Sequence, residues 1–270
     1  MVADEVITTG ELLPLVGTDR VRLIDAREPD AYREGHIPGS VNLHPSVLEH
    51  MEVHDDGEEV DHQLRPASEV VAHFRAFGVR SDVPVCVYDE GGGYLAARVW
   101  WMLDYLGHRR PRLLDGGLVA WIVAGGLLDV GPAPFSVGSF VQRLSPTRRL
   151  EFPDVIAGMA DPNTVLCNTL TADEFRVESI PGSINIPYTD TFAPDNFPLL
   201  KSRHELESVF AGHGITHRQR LVCYCRIGYS ASQIYLAARY AGLSNVTVYD
   251  GSMVDWAARG GELVPGNAGS

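Results

Sequence analysis

The chain has 270 residues, 45% hydrophobic and 21% charged. That is enough apolar material for one large core or two smaller ones, and too little charge for a disordered chain. Its 22 basic and 35 acidic residues give a net charge of -13, which argues against nucleic acid or an anionic membrane as a partner but leaves room for a small anion in a local positive pocket.

The N-terminal stretch carries acids early and has no basic start followed by a long apolar run, so no signal peptide is expected. No apolar run reaches the roughly 18 residues that a membrane helix needs. The expectation is a soluble cytoplasmic protein. Thr8 and Glu11 form the first helix-capping pattern, in which the two side chains satisfy free N–H groups at a helix start. Residues 21–25 (VRLID), 83–89 (VPVCVYD) and 110–115 (RPRLLD) are short apolar runs that read as buried strands. Between the first two, residues 44–65 hold four of the ten histidines and many acids. Their spacing fits no metal-ligand pattern, and the segment is expected to be a solvated charged loop. Trp100 and Trp101 lie in a helical pattern with Val99 and Leu103 and are expected in a core or between domains. Residues 131–149, rich in Pro, Gly and Ser, read as a linker. Thr171 with Glu174 and Ser202 with Glu205 repeat the capping pattern. A strand at 221–225 then leads to a periodic apolar helix at 231–243. Strands alternating with helices imply an α/β fold, a mostly parallel sheet flanked by helices.

The chain also repeats itself. Ile37-Pro38-Gly39-Ser40 recurs as Ile180-Pro181-Gly182-Ser183, an offset of 143. Gly93 and Ala96 recur as Gly228 and Ala231, and Asp115-Gly116-Gly117 with Trp121 as Asp250-Gly251-Ser252 with Trp256, both at an offset of 135. Three landmarks in one order, twice, define two homologous domains, 1–130 and 150–270, joined by 131–149.

The most informative segment begins at Cys225. A strand ends there, a loop containing Gly228 follows, and a helix starts on small residues. The carboxyl ends of strands in an open α/β sheet are where ligands bind. A loop running onto a helix start aims backbone N–H groups and a partial positive charge at one point. Both, with Arg226, favour a thiolate. Of the other cysteines, Cys86 and Cys167 lie in strand-like runs, and Cys223, two residues before Cys225, reads as a core thiol on the same face.

These motifs together resemble the rhodanese superfamily in its tandem-domain form, the thiosulfate and 3-mercaptopyruvate sulfurtransferases. The resemblance rests on the six-residue loop Cys225 to Ser230, on Asp25-Ala26-Arg27 with His36-Ile37-Pro38-Gly39-Ser40, and on the Asp-Gly and Trp exits of both halves. It implies two rhodanese-like domains, the first non-catalytic. It also implies transfer of a sulfane sulfur through a Cys225 persulfide, without metal or organic cofactor. The donor would be a small anion. The acceptor would be cyanide, a thiol or a thioredoxin-like protein. Residues 226–230, namely Arg226, Ile227, Gly228, Tyr229 and Ser230, would surround the sulfur. The first half carries Asp89 at the position of Cys225, and an aspartate cannot hold a persulfide.

Departures from the pattern bear on the donor. Asn168 and Leu170 stand where the second domain usually has Asp and Arg, and Ile227 and Tyr229 stand where further cations occur. Arg226 leans the loop towards thiosulfate, and Arg176 is the candidate to replace the missing cation. Two other readings compete. A Cys-x5-Arg phosphatase loop fails, because position 231 is Ala. A protein-fed persulfide relay or a non-catalytic sensor module is the other, kept open by Leu170.

Overall fold

The computed structural model describes residues 5–53, 57 and 59–267. The chain divides into two compact units, one of residues 1–48, 64–145 and 193–200, the other of residues 49–63, 146–192 and 201–270. Each unit therefore includes a short piece of the other half of the sequence.

Among the described residues, the first half holds β1 (Val6–Ile7), β2 (Arg22–Asp25), β3 (Ser40–Asn42), β4 (Glu49–Val53), β5 (Glu59–Leu64), β6 (Val85–Tyr88) and β7 (Pro111–Leu114). The helices there are α1 (Thr9–Leu12), α2 (Pro29–Glu34), α3 (Ala67–Ala76), α4 (Tyr94–Tyr105) and α5 (Gly117–Val123). The second half adds β8 (Arg149–Leu150), β9 (Thr164–Asn168), β10 (Ile184–Asn185), β11 (Arg220–Tyr224) and β12 (Val246–Tyr249). Its helices are α6 (Phe152–Met159), α7 (Ala172–Val177), α8 (Arg203–Gly212), α9 (Tyr229–Tyr240) and α10 (Ser252–Ala258).

The expected strands 21–25, 83–89 and 110–115 are β2, β6 and β7, each trimmed to four residues. All three expected capping boxes form, at Thr8, Thr171 and Ser202. The two sheets have the same plan. The first runs β1-β7-β6-β2-β3 and the second β8-β12-β11-β9-β10, with every pairing parallel. Parallel strands need a crossover, and the helices between them supply it. The central strands carry apolar side chains on both faces; β6 is buried throughout and β11 beyond Arg220. The helices behind them, α4 and α9, are correspondingly buried, with Trp100 and Trp101 in the core of the first unit. Full burial of a side chain such as Ile234 or Leu236 contributes about 1.5–3 kcal/mol.

The sequence repeat is a repeat of hydrogen bonds. Ile37 N–H donates to the Tyr88 hydroxyl (3.1 Å), which lies 2.8 Å from Ser40 Oγ. In the second unit, Ile180 N–H donates to the Tyr224 hydroxyl (3.0 Å), which donates to Ser183 Oγ (2.7 Å). Asn42 Nδ2 donates to the carbonyls of Asp25 and Arg27, as Asn185 Nδ2 does to those of Asn168 and Leu170. Trp121 Nε1 donates to Leu127 O and Trp256 Nε1 to Glu262 O.

Residues 44–65 correct the expectation of a solvated loop. Pro45–Leu48 is a 3₁₀ turn, and β4 and β5 pair as a two-stranded sheet. Residues 49–63 of this arm belong to the second unit. His44 pairs with Glu28, His50 lies 3.1 Å from Gln63 O, and His62 pairs with Glu49. His54 lies outside the described residues.

Candidate active site

Cys225 follows the last residue of β11, the central strand of the second sheet, and is 2% exposed. Three residues later Gly228 caps α9 with φ of +91°. An L side chain rarely adopts that backbone conformation, and glycine does so freely. The turn it permits brings Gly228 N–H to 3.0 Å from Cys225 Sγ. The backbone of the loop is clamped from α10: Met253 N–H donates to Cys225 O (3.1 Å) and Val254 N–H to Arg226 O (3.2 Å). Cys225 N–H donates to Ser252 Oγ (3.2 Å).

The matching loop of the first unit is already filled by an anion. The Asp89 carboxylate accepts N–H groups of Gly91 (2.9 Å), Gly93 (3.0 Å) and Ala96 (3.1 Å). Burial raises its pKa, and these backbone donors oppose the shift. The loop-to-helix turn therefore works as a nest for negative charge. It carries a carboxylate in the first unit and a sulfur in the second.

The remaining thiols are of another kind. Cys223 is fully buried, and desolvation, helped by its neighbours Cys167 and Cys225, holds its pKa well above the ordinary value. Burial alone pushes Cys167 and Cys86 up to about 12. A thiol so desolvated stays protonated and is a poor nucleophile.

The charged groups fall differently from the sequence reading. Arg226 forms an ion pair with Glu178 (2.8 Å), the two side chains being 52% and 31% exposed. Arg176 is on the exposed side of α7, paired with Asp173 on the same helix, and among the described residues it makes no hydrogen bond or ion pair to the loop. Leu170 is buried. Asn168 keeps the local turn, its Oδ1 accepting Leu170 N–H (2.9 Å) as Asp25 Oδ1 accepts Arg27 N–H (3.0 Å). In the first unit Arg27 binds both Asp25 and Glu90. Glu90 follows Asp89 as Arg226 follows Cys225. The second unit thus places its cation on the loop where the first places it at the strand end.

Ser230 is engaged with Thr169 (2.9 Å between hydroxyls), and Thr169 donates to Tyr224 O (3.2 Å). Tyr229 reaches the β4–β5 arm: its hydroxyl donates to Glu49 Oε2 (2.8 Å), and its ring meets His62 edge-on at 5.8 Å. His62 Nδ1 lies 3.0 Å from the same carboxylate oxygen. Ile227 is half-buried. Glu49, His62, Glu178 and Ser252 were not foreseen. The repeat alignment could have singled out Ser252, because it answers to Gly117.

Fold and site together define a twofold α/β protein in which one loop presents a buried thiol to a backbone N–H at the end of a central strand. The rhodanese-like domain model matches residues 8–124 and 152–259. The 3-mercaptopyruvate sulfurtransferase of Escherichia coli K12 is 30% identical over 247 residues, covering 87% of this chain and 85% of that protein. The thiosulfate sulfurtransferase of Pseudomonas aeruginosa is 28% identical over 267 residues, covering 93% of each. Among solved structures, SseA from Escherichia coli, described as a 3-mercaptopyruvate sulfotransferase of the rhodanese fold, superposes with a TM-score of 0.80 at 27% identity, over 92% of this chain and 98% of that one. The chain belongs to the rhodanese family, and its class of enzyme is the sulfurtransferases. Among the described residues, no helix is long and apolar enough to cross a membrane.

Proposed function

We propose that the second half, residues 150–270, transfers a sulfane sulfur through a persulfide on Cys225, and that the first half, residues 1–130, joined through 131–149, is non-catalytic. The observation that carries this reading is Gly228 N–H on Cys225 Sγ at 3.0 Å, in a loop whose first-half counterpart already cradles a carboxylate. The Cys225 thiolate attacks the outer sulfur of the donor, forming a new S–S bond. The S–S bond of thiosulfate breaks, and its electron pair leaves with sulfite. The outer sulfur, now on Cys225, takes the place in the nest that the Asp89 oxygens fill in the first unit. An acceptor, cyanide or a thiol, then attacks that sulfur and releases the Cys225 thiolate.

Relatives named for both donors leave the substrate to be argued from the loop. Arg226, next to Cys225 in the chain, supports thiosulfate ahead of 3-mercaptopyruvate. Residues 226–230 surround the donor, with Arg226 released from Glu178 to meet its charge. Arg176, whose pair with Asp173 is also exposed, is the further candidate to meet that charge. Four free thiols suit a reducing compartment such as the cytoplasm.

Intact-mass spectrometry tests the reading. Incubated with thiosulfate, and separately with 3-mercaptopyruvate, the wild type gains one sulfur and loses it to cyanide, and Cys225→Ser gains none. Folded wild type that gains no sulfur from either donor would overturn the small-donor reaction in favour of a protein-fed relay.

A further inference from the structure

Ser252 has φ of +53°, one of two non-glycine residues among those described with positive φ. A side chain there is strained. Its counterpart in the first unit is Gly117, with φ of +56°. The two backbones do the same work. Each opens a short helix, and each is followed by residues that clamp the loop. Leu118 and Val119 donate to Asp89 O and Glu90 O (2.8 and 3.1 Å), as Met253 and Val254 do to Cys225 O and Arg226 O. A glycine would serve the clamp without strain.

The side chain is what differs. A Cβ on Gly117 would lie 2.5 Å from Asp89 O and 2.9 Å from Gly91 N, so the first unit has no room for one. Its helix cap, Gly93, comes four positions after Asp89. In the second unit the cap, Gly228, comes only three positions after Cys225, so that loop is one residue shorter. The side chain of Ser252 sits beside this shorter loop. Fully buried there, its hydroxyl donates to Tyr249 O (3.0 Å) and its oxygen accepts Cys225 N–H (3.2 Å).

Strain retained where glycine would fit, in exchange for a bond to the amide of the thiol-bearing residue, points to the thiol. We infer that Ser252 is a positioning residue: it pins the amide of Cys225 so that Sγ stays against Gly228 N–H. This role rests on the Cys225 chemistry proposed above. A reacting atom displaced by even a fraction of an ångström reacts more slowly, because alignment is lost before affinity is.

The test compares Ser252→Gly, which relieves the strain, with Ser252→Ala, which keeps it. Both should melt cooperatively, and Ser252→Gly should keep the backbone that Gly117 already shows is available. Exchange of the Cys225 amide with solvent, followed by NMR, should rise at least about tenfold in both, while the amides of Val222 and Cys223 stay protected. The single-turnover rate of sulfur loading at saturating donor should fall about 5- to 10-fold, the loss expected for one buried hydrogen bond, with the half-saturating donor concentration unchanged. An unchanged Cys225 amide, or full-rate loading by Ser252→Gly while the wild type loads normally, would overturn the role of Ser252 alone. A wild type that takes up no sulfur would overturn the reaction, and with it any catalytic role for this residue.

Discussion

Arg226 and Glu178 show how one position can both help and hinder. Arg226 is the one cation of the loop and follows Cys225 in sequence, yet its guanidinium is held 2.8 Å from a carboxylate. A pair this exposed is worth only about 0.2–1 kcal/mol, so an arriving dianion can displace it at small cost. Glu178→Gln removes the competitor and leaves Arg226 in place. The half-saturating thiosulfate concentration should drop about 2- to 5-fold with the maximal rate unchanged, and Arg226→Ala should raise it. Steady-state kinetics with cyanide as acceptor measure both. If neither substitution moves that concentration, Arg226 does not bind the donor.

At the scale of elements, the β4–β5 arm is held to the loop by a buried carboxylate. Glu49 is buried and takes its hydrogen bonds from Tyr229 and His62. Tyr229→Phe deletes one donor to a charged, desolvated acceptor, which should cost about 1.5–3 kcal/mol. Urea unfolding of wild type and variant measures it, and a loss under about 0.5 kcal/mol would show that the arm is held by other contacts. This arm is also where sequence reading failed. Strands are read from apolar side chains alternating inward. In β4 the apolar residues are the exposed ones: Met51 and Val53 face solvent, while His50 and Glu52 between them are half-buried and Glu49 is buried. Polar residues turned inward, among histidines and acids, read as a loop. The catalytic-type loop was legible for the opposite reason. Its glycine, its cysteine and the following small residues each answer to a local backbone demand at the position where the structure has them. Arg176, the other candidate cation, is engaged by Asp173 on its own helix, and spacing along the chain does not show which neighbour a long side chain chooses.

Over the whole molecule, both sheets bury a thiol in a central strand. Cys86 lies in β6, Cys167 in β9 and Cys223 in β11, all fully buried. Burial pushes Cys86 and Cys167 from 9.0 up to about 12, and Cys223 well above 9.0. A pKa raised on folding contributes stability that is fully present below the unfolded value and is lost as pH rises towards the folded one. The window here runs from about pH 9 to about pH 12. At pH 10 each unfolded thiol is mostly ionised, which favours the unfolded chain by on the order of 1 kcal/mol for each of Cys86 and Cys167, with Cys223 acting in the same direction. Against a total of about 5–15 kcal/mol for a folded domain, that is a large share. Stability by urea unfolding should therefore fall steeply between pH 8 and pH 10. Replacing Cys86, Cys167 and Cys223 together by alanine should lower stability at pH 8, because cavities form, yet flatten the fall towards pH 10. The slope, rather than the level, is the readout: curves that run parallel for the two proteins would mean that these thiols do not carry the alkaline loss.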